Sequence, residues 1–249
     1  MYADAHAHLF DLSARLGADP VIHDGDRVCA SAHSREEFLW QEDYARARLG
    51  QVILSFGIHP QEPSLGESAF LHELARSGRI QAIGECGFDL YDPAFKATER
   101  AQREAFGIQL ELARETGLPL VAHCRRALHL FFAEAAALKR LSAVIFHGWP
   151  GSAAEARAFL ERGVNAYFSV GKALLRGSPR LADTARSIDA ERLLSETDAP
   201  YMAGRGEGYT GLGAIGDVVN AIARTRGTDA SEMARILSDN FSSAFRLVP

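Results

Sequence analysis

The sequence predicts an α/β fold, a TIM (β/α)8 barrel in which a closed parallel sheet is ringed by helices. Three observations predict it. Eight short apolar runs, rich in β-branched and aromatic residues, alternate with longer segments at helical spacing. The alternation keeps a nearly constant step, as parallel strands joined by right-handed crossovers require. The chain has 249 residues, the usual size of one such barrel. No fixed repeat and no Pro/Ser-rich linker divides it, so one barrel domain over 1–249 is expected. A doubly wound open sheet is the alternative. Its nucleotide-binding forms carry Gly-x-Gly-x-x-Gly after the first strand or a Walker A loop, and neither motif is present.

The elements follow in order. The first strand, 2–9, alternates Asp4, His6 and His8 with small apolar residues. The second, 27–32, leads to a helix over 36–49 stopped by Gly50. The third, 51–59, leads to a helix over 67–77 stopped by Gly78, and the fourth, 80–87, to a long helix over 95–116 stopped by Gly117. The fifth strand, 120–124, precedes a helix over 128–140. The sixth, 143–147, precedes one over 153–162 stopped by Gly163, and the seventh, 165–170, one over 179–188. The eighth strand, 193–198, is followed by helices over 215–226, stopped by Gly227, and 231–245, opened by the cap segment Thr228-Asp229-Ala230-Ser231.

Composition narrows the function. Hydrophobic residues make up 47% and charged residues 24%, the balance of an ordinary globular protein and not of a disordered or fibrous one. No apolar run approaches the roughly 18 residues of a membrane span, so no membrane partner is expected. The first ten residues lack the cationic start and apolar stretch of a signal peptide. The cysteines are Cys29, Cys86 and Cys124, too few and too scattered for a disulfide framework, and a reducing cytoplasm is expected. The formal net charge of −5 supplies no general footprint for nucleic acid, so any polyanion needs a local site. No obligate protein partner is evident.

The ionisable residues collect at strand ends. His6, His8, His59, His123 and His147 fall at or near the carboxyl end of a strand, whereas His23, His33, His72 and His129 read as solvated or capping residues. His6 and His8, two apart in a strand, share a face. Glu85 ends the fourth strand and Asp198 the eighth, each after apolar neighbours. Buried unpaired, such groups are costly; a divalent cation relieves all of them by neutralising carboxylates and accepting imidazole lone pairs. His6, His8, Glu85, His123, His147 and Asp198 form a set of six candidate ligands. That is more than one tetrahedral ion uses, and it suits two divalent ions that share an activated water. Four imidazoles favour Zn, Mn, Fe or Ni over Mg. Cys86 and Cys124 adjoin ligands and should point outward as small buried hydrophobes. Asp4 reads as a structural residue or one that orients a ligand, and Asp89 as one that orients a ligand.

Around this set, His59 is a candidate contact to a substrate phosphate or to water. Arg125, two residues past His123, is a candidate bidentate phosphate ligand. Trp149, beside His147, either stacks a base or packs its loop. Arg126, Lys172 and Arg205 are further basic candidates.

Together, Asp4-Ala5-His6-Ala7-His8-Leu9, Gly57-Ile58-His59-Pro60, the Ile83–Asp89 stretch with Glu85, Pro119 to Arg125 with His123, and Glu196-Thr197-Asp198-Ala199-Pro200-Tyr201 make the chain resemble the TatD family of metal-dependent deoxyribonucleases, an amidohydrolase-type barrel family. Asn240-Phe241 near the end is similar too. The resemblance implies a two-metal site on the six ligands named above and hydrolysis of DNA phosphodiesters, often from the 3′ end. It implies DNA as substrate and leaves Mg open as the metal. Glu85 would bridge the ions, and Asp198 would act as general base. The loops after the fifth and sixth strands depart from the family, reading His123-Cys124-Arg125-Arg126-Ala127 and His147-Gly148-Trp149-Pro150-Gly151. A hydrolase of a small phosphoester, amide or lactone on the same site is the alternative, and a metal-binding scaffold without turnover is a third reading.

Overall fold

The computed structural model describes residues 1–247, so the last two positions of the expected 1–249 domain lie outside the described residues. Eight parallel strands form one sheet in the order β1 to β8: Ala3–Ala7, Arg27–Ala32, Val52–Phe56, Ala82–Asp89, Leu120–Arg125, Val144–Phe146, Ala166–Val170 and Leu193–Ser195. The helices are α1 (Leu9–Leu16), α2 (Arg35–Arg46), α3 (Ser68–Arg76), α4 (Pro93–Ala97), α5 (Glu99–Thr116), α6 (Leu128–Ala133), α7 (Ala135–Leu138), α8 (Ala153–Glu161), α9 (Pro179–Ser187), α10 (Ala214–Arg226) and α11 (Ala230–Ala244).

Every successive strand pair is parallel, from β1–β2 to β7–β8. The seam between β8 and β1 is closed by hydrogen bonds beyond the strand ends. The Asp198 N–H donates to the His6 carbonyl at 3.0 Å and the His8 N–H to the Ala199 carbonyl at 2.7 Å. The Asp4 carboxylate accepts from the Thr197 hydroxyl at 2.6 Å and the Thr197 N–H at 2.9 Å. Burial pushes the Asp4 carboxyl up to about 7 even against those hydrogen bonds. Asp4 thus does local structural work at the seam.

The core has two parts. Inside the barrel lie small and branched residues such as Ala5, Cys29, Ile53, Val121, Ile145 and Leu194, and Phe241 and Phe245 join them from the α11 end of the chain. Between sheet and helices lies a larger layer holding Phe38, Phe56, Phe88, Phe131, Phe146 and Phe168, with Cys86 and Cys124 among them. The Asn240 amide donates to the Ala190 and Leu193 carbonyls, tying α11 to the start of β8. Two regions expected to be single helices are broken. The stretch 95–116 is divided at Thr98 between α4, begun by the Asp92 cap and Pro93, and α5, and 128–140 is divided at Glu134 into α6 and α7. The short helix α1 lies where the first strand was expected to end, with His8 at its N-cap. Among the described residues no helix is long and apolar enough to cross a membrane.

Candidate metal centre at the barrel mouth

Side chains reach the mouth because two strands change phase. On β1, Ala3 and Ala5 face the interior while Ala7 joins the outer layer, with a register shift between Asp4 and Ala7. On β4, Ala82 faces in, while Ile83, Cys86 and Phe88 all face out, with a shift between Ile83 and Cys86. Strict alternation would place Ile83 and Cys86 on opposite faces. The extra residue turns Glu85 into the mouth. Glycine permits it: Gly84 has φ +140°, and a Cβ there would lie 2.5 Å from the Val121 carbonyl oxygen. On β5 and β6 alternation is regular. Val121 and Ile145 face in, Ala122 and Phe146 face out, and His123 and His147 follow at the rim.

Six imidazoles form a closed ring at this rim. Successive ring centroids are 4.8 Å apart for His6–His8, 5.2 Å for His8–His33, 4.9 Å for His33–His59, 4.8 Å for His59–His123, 5.6 Å for His123–His147 and 4.0 Å for His147–His6. Glu85, 2% exposed, sits among them and divides them. Its Oε2 faces His6 Nε2 at 3.1 Å and His8 Nε2 at 3.7 Å. Its Oε1 faces His147 Nε2 at 2.9 Å, His59 Nε2 at 3.4 Å and, very closely, His123 Nδ1. Asp198 Oδ1 completes the first group, 3.5 Å from His8 Nε2 and 3.8 Å from His6 Nε2.

Electrostatics follow from this packing. Burial alone would raise the Glu85 pKa, but the imidazoles of His147, His59, His6 and His123 overcome it and hold the carboxyl well below its ordinary value. Burial likewise works to deprotonate His147, yet Glu85 and Glu196 hold it well above the usual imidazole value. His6, His59 and His33 are lowered, chiefly by burial. Asp89 is held down to about 2: against its burial it accepts from His123, Gln61 and the Tyr91 N–H. Asp89 Oδ2 lies 3.3 Å from His123 Nε2 and accepts the Gln61 amide at 2.8 Å, which fixes the His123 ring with Nδ1 toward Glu85. The His59 Nδ1 accepts the Gln61 N–H at 3.3 Å, so its proton sits on Nε2 and points at Glu85.

The donor set fits divalent cations. His6 Nε2 and His8 Nε2 stand 3.1 Å apart, too close for two N–H groups and suited to lone pairs that converge on a cation. Three overlapping groups each bring their ligand atoms within 4.8 Å of one another: His6, His8 and Asp198; His6, Glu85 and His147; His59, Glu85 and His123. Thus the six side chains expected as ligands do come together, and His59 joins them.

The remaining candidates fall in different places, and the expected base contact of Trp149 is corrected. Trp149 is 3% exposed and packs edge-on against Phe146 and Phe168 in the outer layer, so it has no face free for a base. Arg125 reaches the rim but is exposed, its guanidinium 3.7 Å over the Tyr91 ring, with Arg126 at 4.6 Å over the same ring. Arg205 is exposed on the loop after β8, with no hydrogen bond or ion pair among the described residues. Lys172 is buried and committed to Glu207 at 2.5 Å and Thr210 at 3.1 Å. His33 is no solvated loop residue but the sixth member of the ring. The signal was present, because His33 directly follows the last residue of β2, the position that marked His147 on β6.

A barrel with such a donor set at its C-terminal mouth is the architecture of a metal-dependent hydrolase. Comparison with known proteins names the family. A family model described as TatD related DNase matches residues 3–246. The 3′-5′ ssDNA/RNA exonuclease TatD of Pantoea vagans is 33% identical over 242 residues, covering 93% of this chain and 89% of that protein. An uncharacterized metal-dependent hydrolase of Escherichia coli K12, YcfH, is 29% identical over 268 residues, covering 98% of this chain and 95% of that one. The crystal structure of YJJV, a TatD homologue from Escherichia coli K12, superposes with a TM-score of 0.81 at 23% identity, covering 100% of this chain and 98% of that one. The chain belongs to the TatD family.

Proposed function

We propose that this protein is a single-domain nuclease that hydrolyses phosphodiester bonds at the 3′ end of single-stranded DNA, using two divalent cations in the mouth of its barrel. The observation that carries the chemistry is the Glu85 carboxylate, whose two oxygens face two separate groups of histidines. The substrate reading is supported by the activity named for the Pantoea vagans relative.

His6, His8 and Asp198 would hold one cation, His123 and His147 the other, and Glu85 would join both. Such ions supply Lewis acidity toward a phosphoryl oxygen and make water a nucleophile at neutral pH. The imidazole-rich set favours Zn or Mn over Mg. The protein's own groups do the rest. Asp198, beside His8 and 16% exposed, is placed to accept the proton of the attacking water. The His59 Nε2–H points into the centre and donates to a phosphoryl oxygen. Arg125, with no carboxylate paired to it among the described residues, takes the phosphate backbone as it enters across the rim. Free cysteines at all three positions support a cytoplasmic setting.

The test uses metal-loaded protein with 5′-labelled single-stranded and duplex DNA of defined ends. A ladder shortening from the 3′ end of the single strand is expected. Intact oligonucleotides beside hydrolysis of a small phosphoester or lactone would overturn the nuclease reading.

A further inference from the structure

Glu196 stands two residues before Asp198 and takes no part in the donor groups described above. Its side chain is 2% exposed. Gly171 makes room for it: a Cβ there would lie 3.2 Å from both Cγ and Oε1. The Gly148 N–H donates to Oε1 at 2.7 Å and aims the carboxylate. The same oxygen is 3.6 Å from His147 Nδ1. Glu196 Oε2 and His147 Nδ1 are both buried without a hydrogen-bond partner. A buried carboxylate with a free oxygen is costly unless it meets positive charge or an N–H donor. The imidazole beside it is His147, whose other nitrogen, Nε2, lies 2.9 Å from Glu85 Oε1. His147 therefore stands between two buried carboxylates, one in the centre and one behind.

We propose that Glu196 is a positioning residue that accepts the Nδ1–H of His147, locking the imidazole so that its Nε2 lone pair faces a divalent cation. The proposal rests on the cation site argued above. Neutral imidazole carries one proton. An acceptor held at Nδ1 selects the tautomer with that proton at the back and the lone pair at the front. A carboxylate behind a ligating imidazole also raises the basicity of the ligating nitrogen, and losing such a partner typically weakens metal binding about 10- to 100-fold. Gly171 and the Gly148 N–H belong to the same device, since a side chain at 171 would press on the carboxylate that the N–H aims.

The test combines zinc titration by calorimetry with 15N NMR of the histidine rings. Glu196→Gln keeps the volume and the bond from Gly148 but removes the charge. It should bind zinc about tenfold more weakly than wild type, while the Tm of the metal-free protein stays within a few degrees. Glu196→Asp, which retains the charge one methylene further back, should recover part of that loss. In zinc-loaded wild type, His147 should carry its proton on Nδ1, a readout that needs no variant to fold. Zinc affinity of Glu196→Gln within twofold of a zinc-binding wild type, or a proton on Nε2 of His147 in the loaded wild type, overturns the proposal alone. A wild type that takes up no zinc overturns the cation site and this proposal with it.

Discussion

Asp198 adopts a left-handed backbone, φ +57°, in which few residues other than Gly, Asn and Asp are comfortable. The conformation turns the carboxylate toward His8 and His6 just after the backbone has bonded to β1. Residue choice and chain path are thus coupled: the proposed mechanism uses an acid here, and Asp also tolerates the turn. Asp198→Asn keeps both the shape and the backbone tolerance while removing the charge. It should leave the Tm of the metal-free protein within a few degrees of wild type and lower metal-activated turnover by about 10²- to 10⁴-fold, the span of a lost general base. Thermal melts beside steady-state rates check it, and turnover within threefold of wild type removes Asp198 from the mechanism. At this same scale the sequence was readable for His6 and His8, which lie two apart on one strand, and for His123 and His147, which each end an apolar run. It misled at Trp149, whose neighbour His147 faces the mouth. A residue two past His147 would share its face in a continued strand, but β6 ends at Phe146 and Gly148 takes φ +52°, so the indole went into the layer of Phe146 and Phe168.

At the scale of elements, the barrel is closed by few main-chain bonds between β1 and the β8 extension, and Asp4 and Thr197 reinforce them. The hydroxyl of Thr197 donates to a carboxylate that is almost wholly buried, so removing it strands a charged or polar oxygen. Thr197→Val, equal in shape, should destabilise the protein by about 1–3 kcal/mol, seen as a lower urea midpoint at unchanged slope. An unchanged midpoint would show the seam indifferent to that bond. The pattern of eight strands and their helices was legible because each amphipathic or apolar run is a local property. The phase shifts in β1 and β4 were not, since a period of two is blind to one inserted residue. The division at Glu134 was equally hidden within an apolar, alanine-rich run of good helix formers.

Across the whole molecule, seven of the eight strand ends deliver imidazoles and carboxylates to one small volume, and their protonation is collective. Burial works to strip protons from His8, His123 and His147, but the facing carboxylates outweigh it, Asp198 and Glu85 at His8, Glu85 at His123, and Glu85 with Glu196 at His147. All three imidazoles are raised, so they hold protons more tightly than free histidine does. A cation needs their lone pairs and must expel those protons. The sign follows: affinity falls as pH falls and rises with pH until the imidazoles are neutral. Zinc affinity should therefore climb between pH 6 and 7.5, on the order of tenfold per pH unit for each proton released. Titrations at one pH in buffers of different ionisation enthalpy should give different apparent heats, and equal heats would contradict the linkage.

From the sequence alone came the barrel, the order of its strands, the family, and the residue types that end each strand. These rest on periodicity and short motifs, which neighbours along the chain decide. Which nitrogen faces which oxygen was decided only in the folded molecule. So were the withdrawal of Trp149, the pairing of Lys172 with Glu207 and the place of Glu196 behind His147. The physical reason is that these contacts join strands dozens of residues apart. Their geometry depends on register shifts, glycine clearances and closure of the seam, none of which leaves a local periodic trace.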